Sequence, residues 1–207
     1  MYNYIIFDID GTILDTKFAD LTALQRLVYE ELKKHMSFEE LRFALGIPGE
    51  VTLKKLGISN ISDCIARWNM YMHENFHHVK VFDNIEGILA DLNKMGILMG
   101  IVTSKTREEF LHDFTPFGLV QYFQVIVCSD DTEKPKPNPE PILKLIELAG
   151  VDKSKTIYVG DTAYDMECAY SAGVDFALAF WGAKSSAGIN ANYILEDPKQ
   201  ILELLGG

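Results

Sequence analysis

The sequence predicts an α/β protein: a parallel sheet with helices on both faces, carrying a small inserted α-helical domain. Three observations support this. From about residue 81 onward, short and almost wholly apolar runs alternate with helix-like stretches that end at glycine, the pattern of a parallel sheet covered on both sides. One further apolar run, Tyr4-Ile5-Ile6-Phe7, stands alone near the start, and residues 17–76 after it show helical spacing and no convincing strand. A chain of 207 residues, 48% of them hydrophobic, is long enough for one sizeable core plus one small insert. The expected architecture is Rossmann-like, with residues 1–15 and 81–207 as the core and residues 16–80 as the helical insert.

In chain order, the first strand is expected over residues 4–8. Phe18, Leu21, Leu24, Leu27 or Val28, and Leu32 recur at helical spacing. Ser37 followed by Glu40 reads as a capping box opening a short helix to about residue 45. Gly46-Ile47-Pro48-Gly49 breaks that helix. A third helix is expected over residues 50–56 with Gly57 as its cap, and Ile61, Ile65, Trp68 and Met72 mark a fourth. Beyond residue 81 the expected elements are helix 85–94 ending at Gly96, strand 97–102, a helix from about 107, and strand 123–128. Helix 139–149 ending at Gly150, strand 156–159, a helix through 166–172 ending at Gly173, and strands 176–179 and 193–195 follow.

The formal net charge of −11 argues against nucleic acid or an anionic membrane surface as the partner, and means that a polyanionic substrate needs locally positive groups in its pocket. Cys64, Cys128 and Cys168 are far apart and odd in number, so buried reduced thiols are expected. No apolar run approaches a membrane span, and no secretory leader is expected. A soluble cytoplasmic protein, monomer or homodimer, is the expectation.

In open α/β sheets, ligands bind at the carboxyl ends of the strands. After the first strand come Asp8 and Asp10, two positions apart and so on one side of an extended chain. After the second come Thr103-Ser104-Lys105. After the third come Ser129-Asp130-Asp131 and then Lys134-Pro135-Lys136-Pro137. After the fourth comes Gly160-Asp161-Thr162-Ala163-Tyr164-Asp165. Two carboxylates on one side repel each other unless a cation or a phosphoryl centre lies between them. Phosphoryl transfer needs a nucleophile, charge neutralisation and an acid for the leaving oxygen. Asp8 suits the nucleophile and Asp10 the proton donor. A Mg²⁺ bound by carboxylates would let two anions approach, with Asp161 completing its site and Asp165 one helical turn further on. Thr103 and a lysine would hold phosphoryl oxygens. Each short motif alone is common in turns and helix caps; the joint arrangement, each part after an apolar strand, is specific.

The chain resembles haloacid dehalogenase (HAD) superfamily hydrolases of the subgroup with a helical cap after the first motif, and most of all their phosphoglycolate phosphatase-like branch. The resemblance spans essentially the whole chain. Asp8-Ile9-Asp10-Gly11-Thr12-Ile13-Leu14-Asp15 matches the first motif, Ile101-Val102-Thr103-Ser104 the second, Lys136-Pro137-Asn138-Pro139 the third, and Val159-Gly160-Asp161-Thr162-Ala163-Tyr164-Asp165 the fourth. For the third, counting back from Ala149-Gly150 favours Lys136, with Lys134 as a nearby charge.

The resemblance implies Asp8 as nucleophile and Asp10 as acid/base. It implies Mg²⁺ on Asp8, the Asp10 main-chain carbonyl and Asp161, with Asp165 supporting metal and lysine. Thr103 and Lys136 would hold the phosphoryl group, with Gly11, Thr12 and Ser104 lining the phosphate pocket and residues 12–16 forming a flap. The implied activity is Mg²⁺-dependent hydrolysis of a small phosphorylated metabolite through an aspartyl-phosphate. A sugar-phosphate mutase, a pyrophosphatase or a nucleotidase of the same fold are alternatives. Asp10 argues against a dehalogenase, and the full set of motif residues argues against a non-enzymatic binding protein. Asp83-Asn84 stands where relatives have Pro-Gly and can make the same turn, and Ser104 stands where Asn is common.

The cap is expected to choose the substrate, with loop 46–49 facing the crevice. Arg42, Lys54 and Lys55 are candidate anion contacts, though a solvated helix cation is the stronger reading for each. His73, His77 and His78 read as solvated residues near the exit hinge, and Trp68, Tyr71, Met72 and Phe76 as cap core. Trp181-Gly182 either rims the site or lines the core.

Overall fold

A computed structural model describes residues 2–45, 47, 49–183 and 185–205. The chain divides into two compact units, Met1–Leu14 with Val81–Gly207 and Asp15–Lys80.

The first unit is built on six parallel strands: β1 (Tyr4–Phe7), β4 (Leu98–Val102), β5 (Val125–Val127), β6 (Thr156–Gly160), β7 (Asp175–Ala179) and β8 (Tyr193–Leu195). Their order is β5-β4-β1-β6-β7-β8. β1 pairs in register with β4 (Phe7 with Ile101) and with β6 (Phe7 with Val159). All four residues of β1 are fully buried, as expected of a central strand covered on both faces, and this explains its unbroken apolar sequence. Tyr4 and Ile6 pack with Tyr158, Phe176 and Leu178 under Ile142 and Leu145 of α7 (Glu140–Ala149) and Cys168, Ala169 and Ala172 of α8 (Ala163–Ala172). Phe7, the next side chain along, meets the ring of Phe123 edge-on at 6.0 Å, and Phe114 after α6 (Arg107–Asp113) closes the same cluster.

The helix α5 (Ile85–Lys94) matches its expected span. It is entered through Asn84 at φ 71°, so the Asp83-Asn84 turn uses the left-handed conformation that Asn tolerates better than most residues. Strand 123–128 is shorter than expected. The Phe123 N–H turns back to Val120, and the Cys128 N–H donates to the Asp131 carboxylate at 2.7 Å, so both ends leave the ladder. Three elements carry too weak a pattern to be read from sequence: the two-residue strands β2 (Leu14–Asp15) and β3 (Lys80–Val81), and α9 (Phe180–Ala183), which contains a glycine. A run of 3₁₀ turns over Pro198–Leu205 buries Ile201 and was likewise not expected. The three cysteines are buried and free.

The second unit is helical: α1 (Lys17–Leu32), α2 (Phe38–Leu41), α3 (Gly49–Lys55) and α4 (Ile61–Glu74). Leu21, Leu24, Leu27 and Val28 of α1 are buried, as are Trp68, Tyr71 and Met72 of α4. The Trp68 indole N–H donates to Asp20 at 2.9 Å. Phe18, expected on the buried stripe, is 48% exposed and instead meets the rings of Phe38 and His78. The capping box at Ser37 forms in both directions: the Glu40 N–H donates to Ser37 Oγ and the Ser37 N–H to Glu40 Oε2. The helix it opens stops at Leu41 and continues as a 3₁₀ turn over Arg42–Ala44. Of the expected breaker loop, Gly46 and Pro48 lie outside the described residues, and Gly49 already begins α3. Among the described residues no helix is long and apolar enough to cross a membrane.

Candidate active site

The sheet brings the predicted residues together through the order of its strands. β1 lies between β4 and β6, so the segments leaving their carboxyl ends emerge side by side. The Asp8 N–H extends the ladder by donating to Val159 O at 2.9 Å, and the Thr103 N–H does the same to Val127 O at 3.1 Å. Asp8 and Thr103 are both buried.

Lys136 occupies the centre. Its ammonium donates to Asp8 Oδ1 at 3.0 Å, to Asp165 Oδ1 at 2.7 Å and to the Tyr158 hydroxyl at 3.1 Å, which uses all three of its hydrogens. The Tyr158 hydroxyl has one hydrogen of its own and two acceptors in reach, Val102 O at 3.0 Å and Asp165 Oδ1 at 2.9 Å. Lys134 is exposed. Asp165 is fully buried because it is the third residue of a capping box: its Oδ2 accepts from the Thr162 N–H and hydroxyl, and the Asp165 N–H donates to Thr162 Oγ1. Burial opposes the charge of Lys136, but Asp165 and Asp8 outweigh it and hold the ammonium protonated. Tyr158 was not singled out from sequence. In sequence it is one more aromatic in a buried strand that also carries Thr156, and no local signal marks it.

Asp161 faces the same space. Its Oδ1 is buried without a hydrogen-bond partner. A Cβ on Gly11 would fall 2.1 Å from Asp161 Oδ2, so the bend after Asp10, with Gly11 at φ 78°, admits the Asp161 carboxylate only because residue 11 is glycine. Carboxylate oxygens of Asp8, Asp161 and Asp165 lie within 4.8 Å of one another. Burial, with the neighbouring carboxylates adding to it, raises the Asp8 carboxyl to about 7 against the pull of Lys136, and pushes Asp161 well above its ordinary range. An orphaned buried carboxylate oxygen among hard oxygen donors fits a divalent cation. Asp8 and Asp161 are the available ligands, since both Asp165 oxygens are already taken by Lys136, Tyr158 and Thr162.

Asp10 has a different cation beside it. Its side chain, 32% exposed, lies 3.4 Å from Lys105 Nζ, which also donates to the buried Asp113 at 2.8 Å. Neither Lys105 nor Asp113 was singled out as functional. The Thr103 hydroxyl accepts the Lys105 N–H at 3.2 Å, and Ser104 is partly exposed beside it. Thr12 is fully buried, with its hydroxyl unpaired. Its carbonyl accepts the Trp181 indole N–H at 3.0 Å. Gly182 lies so close to the Gly11 carbonyl that a Cβ there would overlap it at 1.7 Å. The Trp181-Gly182 pair therefore buttresses the loop that follows Asp10. In the helical unit, Lys54 pairs with Glu50 one turn earlier, Lys55 lies over the Phe43 ring, and Arg42 is 3.9 Å from Glu39. His73, His77 and His78 are exposed.

The profile described as haloacid dehalogenase-like hydrolase matches residues 5–179. A protein of Caldanaerobacter subterraneus subsp. tengcongensis provisionally named pyrophosphatase PpaX is 32% identical over 98% of this chain and 94% of its own length. Pyrophosphatase PpaX of Halalkalibacterium halodurans is 28% identical over 99% of this chain and 97% of its own. The crystal structure of a protein provisionally assigned as a phosphoglycolate phosphatase from Lactobacillus plantarum superposes with a TM-score of 0.92 at 26% identity, covering 99% of each chain.

Proposed function

We propose that this chain, which belongs to the haloacid dehalogenase-like hydrolase family, is a Mg²⁺-dependent phosphatase of a small phosphorylated metabolite that works through an aspartyl-phosphate on Asp8. The observation that carries the reading is the Asp8–Lys136–Asp165 constellation at the carboxyl ends of the central strands, with the unpaired Asp161 oxygen beside it.

In this reading Asp8 and Asp161, with the Asp10 carbonyl, hold Mg²⁺, which supplies positive charge against the anionic substrate. Lys136 fixes one Asp8 oxygen through its 3.0 Å hydrogen bond and leaves the other to react. That oxygen attacks phosphorus as the bond to the leaving oxygen breaks, and the leaving oxygen takes a proton from Asp10. Asp10, now a carboxylate, takes a proton from water as that water attacks phosphorus. The Asp8–phosphorus bond breaks, and inorganic phosphate and the Asp8 carboxylate are regenerated. Thr103 and Lys136 hold phosphoryl oxygens, and Gly11, Thr12 and Ser104 shape the pocket through their backbone and position. The helical unit Asp15–Lys80 is assigned the role of a substrate-selecting cap.

Two substrates head the range. Pyrophosphate is favoured by relatives that carry the pyrophosphatase name and match almost end to end. Phosphoglycolate is favoured by the similarity to the Lactobacillus plantarum structure. The test is phosphate release by purified protein with MgCl₂ from pyrophosphate, phosphoglycolate, sugar phosphates and nucleoside monophosphates. Metal-dependent turnover of one or more supports the reading. An isomerised sugar phosphate without net phosphate release would make the protein a mutase, and no turnover of any would overturn the reading.

A further inference from the structure

We propose that Lys105, anchored by the buried carboxylate of Asp113, is a positioning residue for Asp10, holding its carboxyl group where it can protonate the leaving oxygen. The inference rests on the acid/base role given to Asp10 above. A general acid acts only within hydrogen-bond reach of the oxygen it protonates. Asp10 sits in a loop next to a second carboxylate, and its Oδ1 is buried without a hydrogen bond. Lys105 Nζ forms an ion pair with it at 3.4 Å.

Lys105 is itself held at three points. Its ammonium donates to Asp113 Oδ2 at 2.8 Å, its N–H donates to Thr103 Oγ1 at 3.2 Å, and its carbonyl accepts the Ser129 N–H at 2.9 Å. Its side chain is only 11% exposed and that of Asp113 only 4%. Asp113, the last residue of α6, also lies 3.0 Å from His112 Nδ1. Burial opposes the charge on Lys105, but Asp10 and Asp113 outweigh it and raise its pKa, so the ammonium stays protonated. A surface lysine that only balanced charge would need neither a buried partner nor a fixed backbone. This one spans from a rigid helix end to a carboxylate that must be aimed.

The test compares kcat/KM for phenyl phosphate and p-nitrophenyl phosphate, because kcat/KM reports the step in which the leaving group departs. Phenoxide needs a proton and p-nitrophenoxide scarcely does. Lys105→Met is expected to lower kcat/KM for phenyl phosphate by about 10²-fold and for p-nitrophenyl phosphate by less than about threefold. Lys105→Arg should recover much of the loss. Asp113→Asn, close in shape to the native residue, should show the same selective loss in smaller measure should Lys105→Met not fold. Asp10→Asn serves as the reference and should show the same leaving-group dependence. Equal losses on the two substrates in both the Lys105 and Asp113 variants would overturn the proposal while Asp10→Asn remains selective. If Asp10→Asn is itself unselective, the acid role of Asp10 fails and the proposal fails with it.

Discussion

Lys136 and Asp8, 128 positions apart in the chain, meet at 3.0 Å with both side chains almost fully withdrawn from solvent. Breaking a buried ion pair by removing one partner costs about 3–5 kcal/mol, because the remaining charge is left uncompensated. Here the remaining charges would be the crowded carboxylates Asp8, Asp161 and Asp165. Lys136→Met is therefore expected to lower the unfolding free energy of the metal-free protein by roughly that amount and to reduce turnover by about 10²-fold or more. Lys134→Met, at an exposed site, should change stability by less than about 0.5 kcal/mol. Denaturant unfolding and phosphate release measured on both variants check the contrast. Equal effects would mean that the wrong lysine has been placed in the site.

Tyr158→Phe removes the hydroxyl that accepts the third Lys136 hydrogen and lies within reach of both Val102 O and Asp165 Oδ1. Leaving a buried donor unsatisfied costs about 1–3 kcal/mol. The variant should lose stability in that range while keeping far more activity than Lys136→Met, since Asp8 and Asp165 still hold the ammonium. Thermal melts and steady-state rates on the same preparation check both parts.

The raised carboxyl of Asp8 has a definite pH signature. With its value near 7 in the folded chain against 3.8 ordinarily, the folded state keeps a proton that the unfolded chain has lost. The contribution of this group to stability is present below about pH 4 and is lost as pH rises through about 7. On the proposed reading Mg²⁺ would bind the deprotonated form, so the rise in Tm on adding MgCl₂ should be small near pH 5.5 and grow to a plateau above about pH 7.5. Asp161→Asn should abolish most of that rise. Differential scanning calorimetry with and without MgCl₂ across this range tests it. A rise independent of pH would mean that the cation does not bind at Asp8.

Gly182 is in contact with the Gly11 carbonyl, and an added Cβ would sit 1.7 Å from that oxygen. Gly182→Ala must therefore push the loop after Asp10 away from its place. A cost of about 1–3 kcal/mol is expected, with a fall in turnover larger than such a substitution would cause at a remote packed site. Thermal melts and phosphate release on Gly182→Ala check both effects.

Much of this arrangement is legible in the sequence, for a physical reason. A central parallel strand is buried on both faces, so it is apolar at every position, and polar residues at its end stand out. Asp8, Thr103 and Asp161 were found in that way. Lys136 was separated from Lys134 by the family resemblance, whose third motif leads into a helix ending near Ala149-Gly150. Partners made by long-range contact were not legible. Tyr158 looks like one more strand aromatic until its hydroxyl is seen beside Lys136. Lys105 and Asp113, eight residues apart on a loop and a helix end, look like ordinary helix-entry charges. Phe18 fits the apolar stripe of α1 by spacing yet is exposed, because periodicity shows which side a residue takes but not where the packing stops. The role of Trp181-Gly182 depended on a contact with residues 11 and 12, some 170 positions away.

The central claim is that Asp8 is the nucleophile, and phosphate release by Asp8→Asn in saturating MgCl₂ tests it most directly. The substitution preserves shape and keeps a hydrogen-bonding oxygen near Lys136, so the fold should persist, with a Tm close to that of the parent. The account predicts a loss of at least about 10³-fold in turnover on every substrate that the parent hydrolyses. A folded Asp8→Asn protein that retains a tenth or more of the parent rate would contradict it.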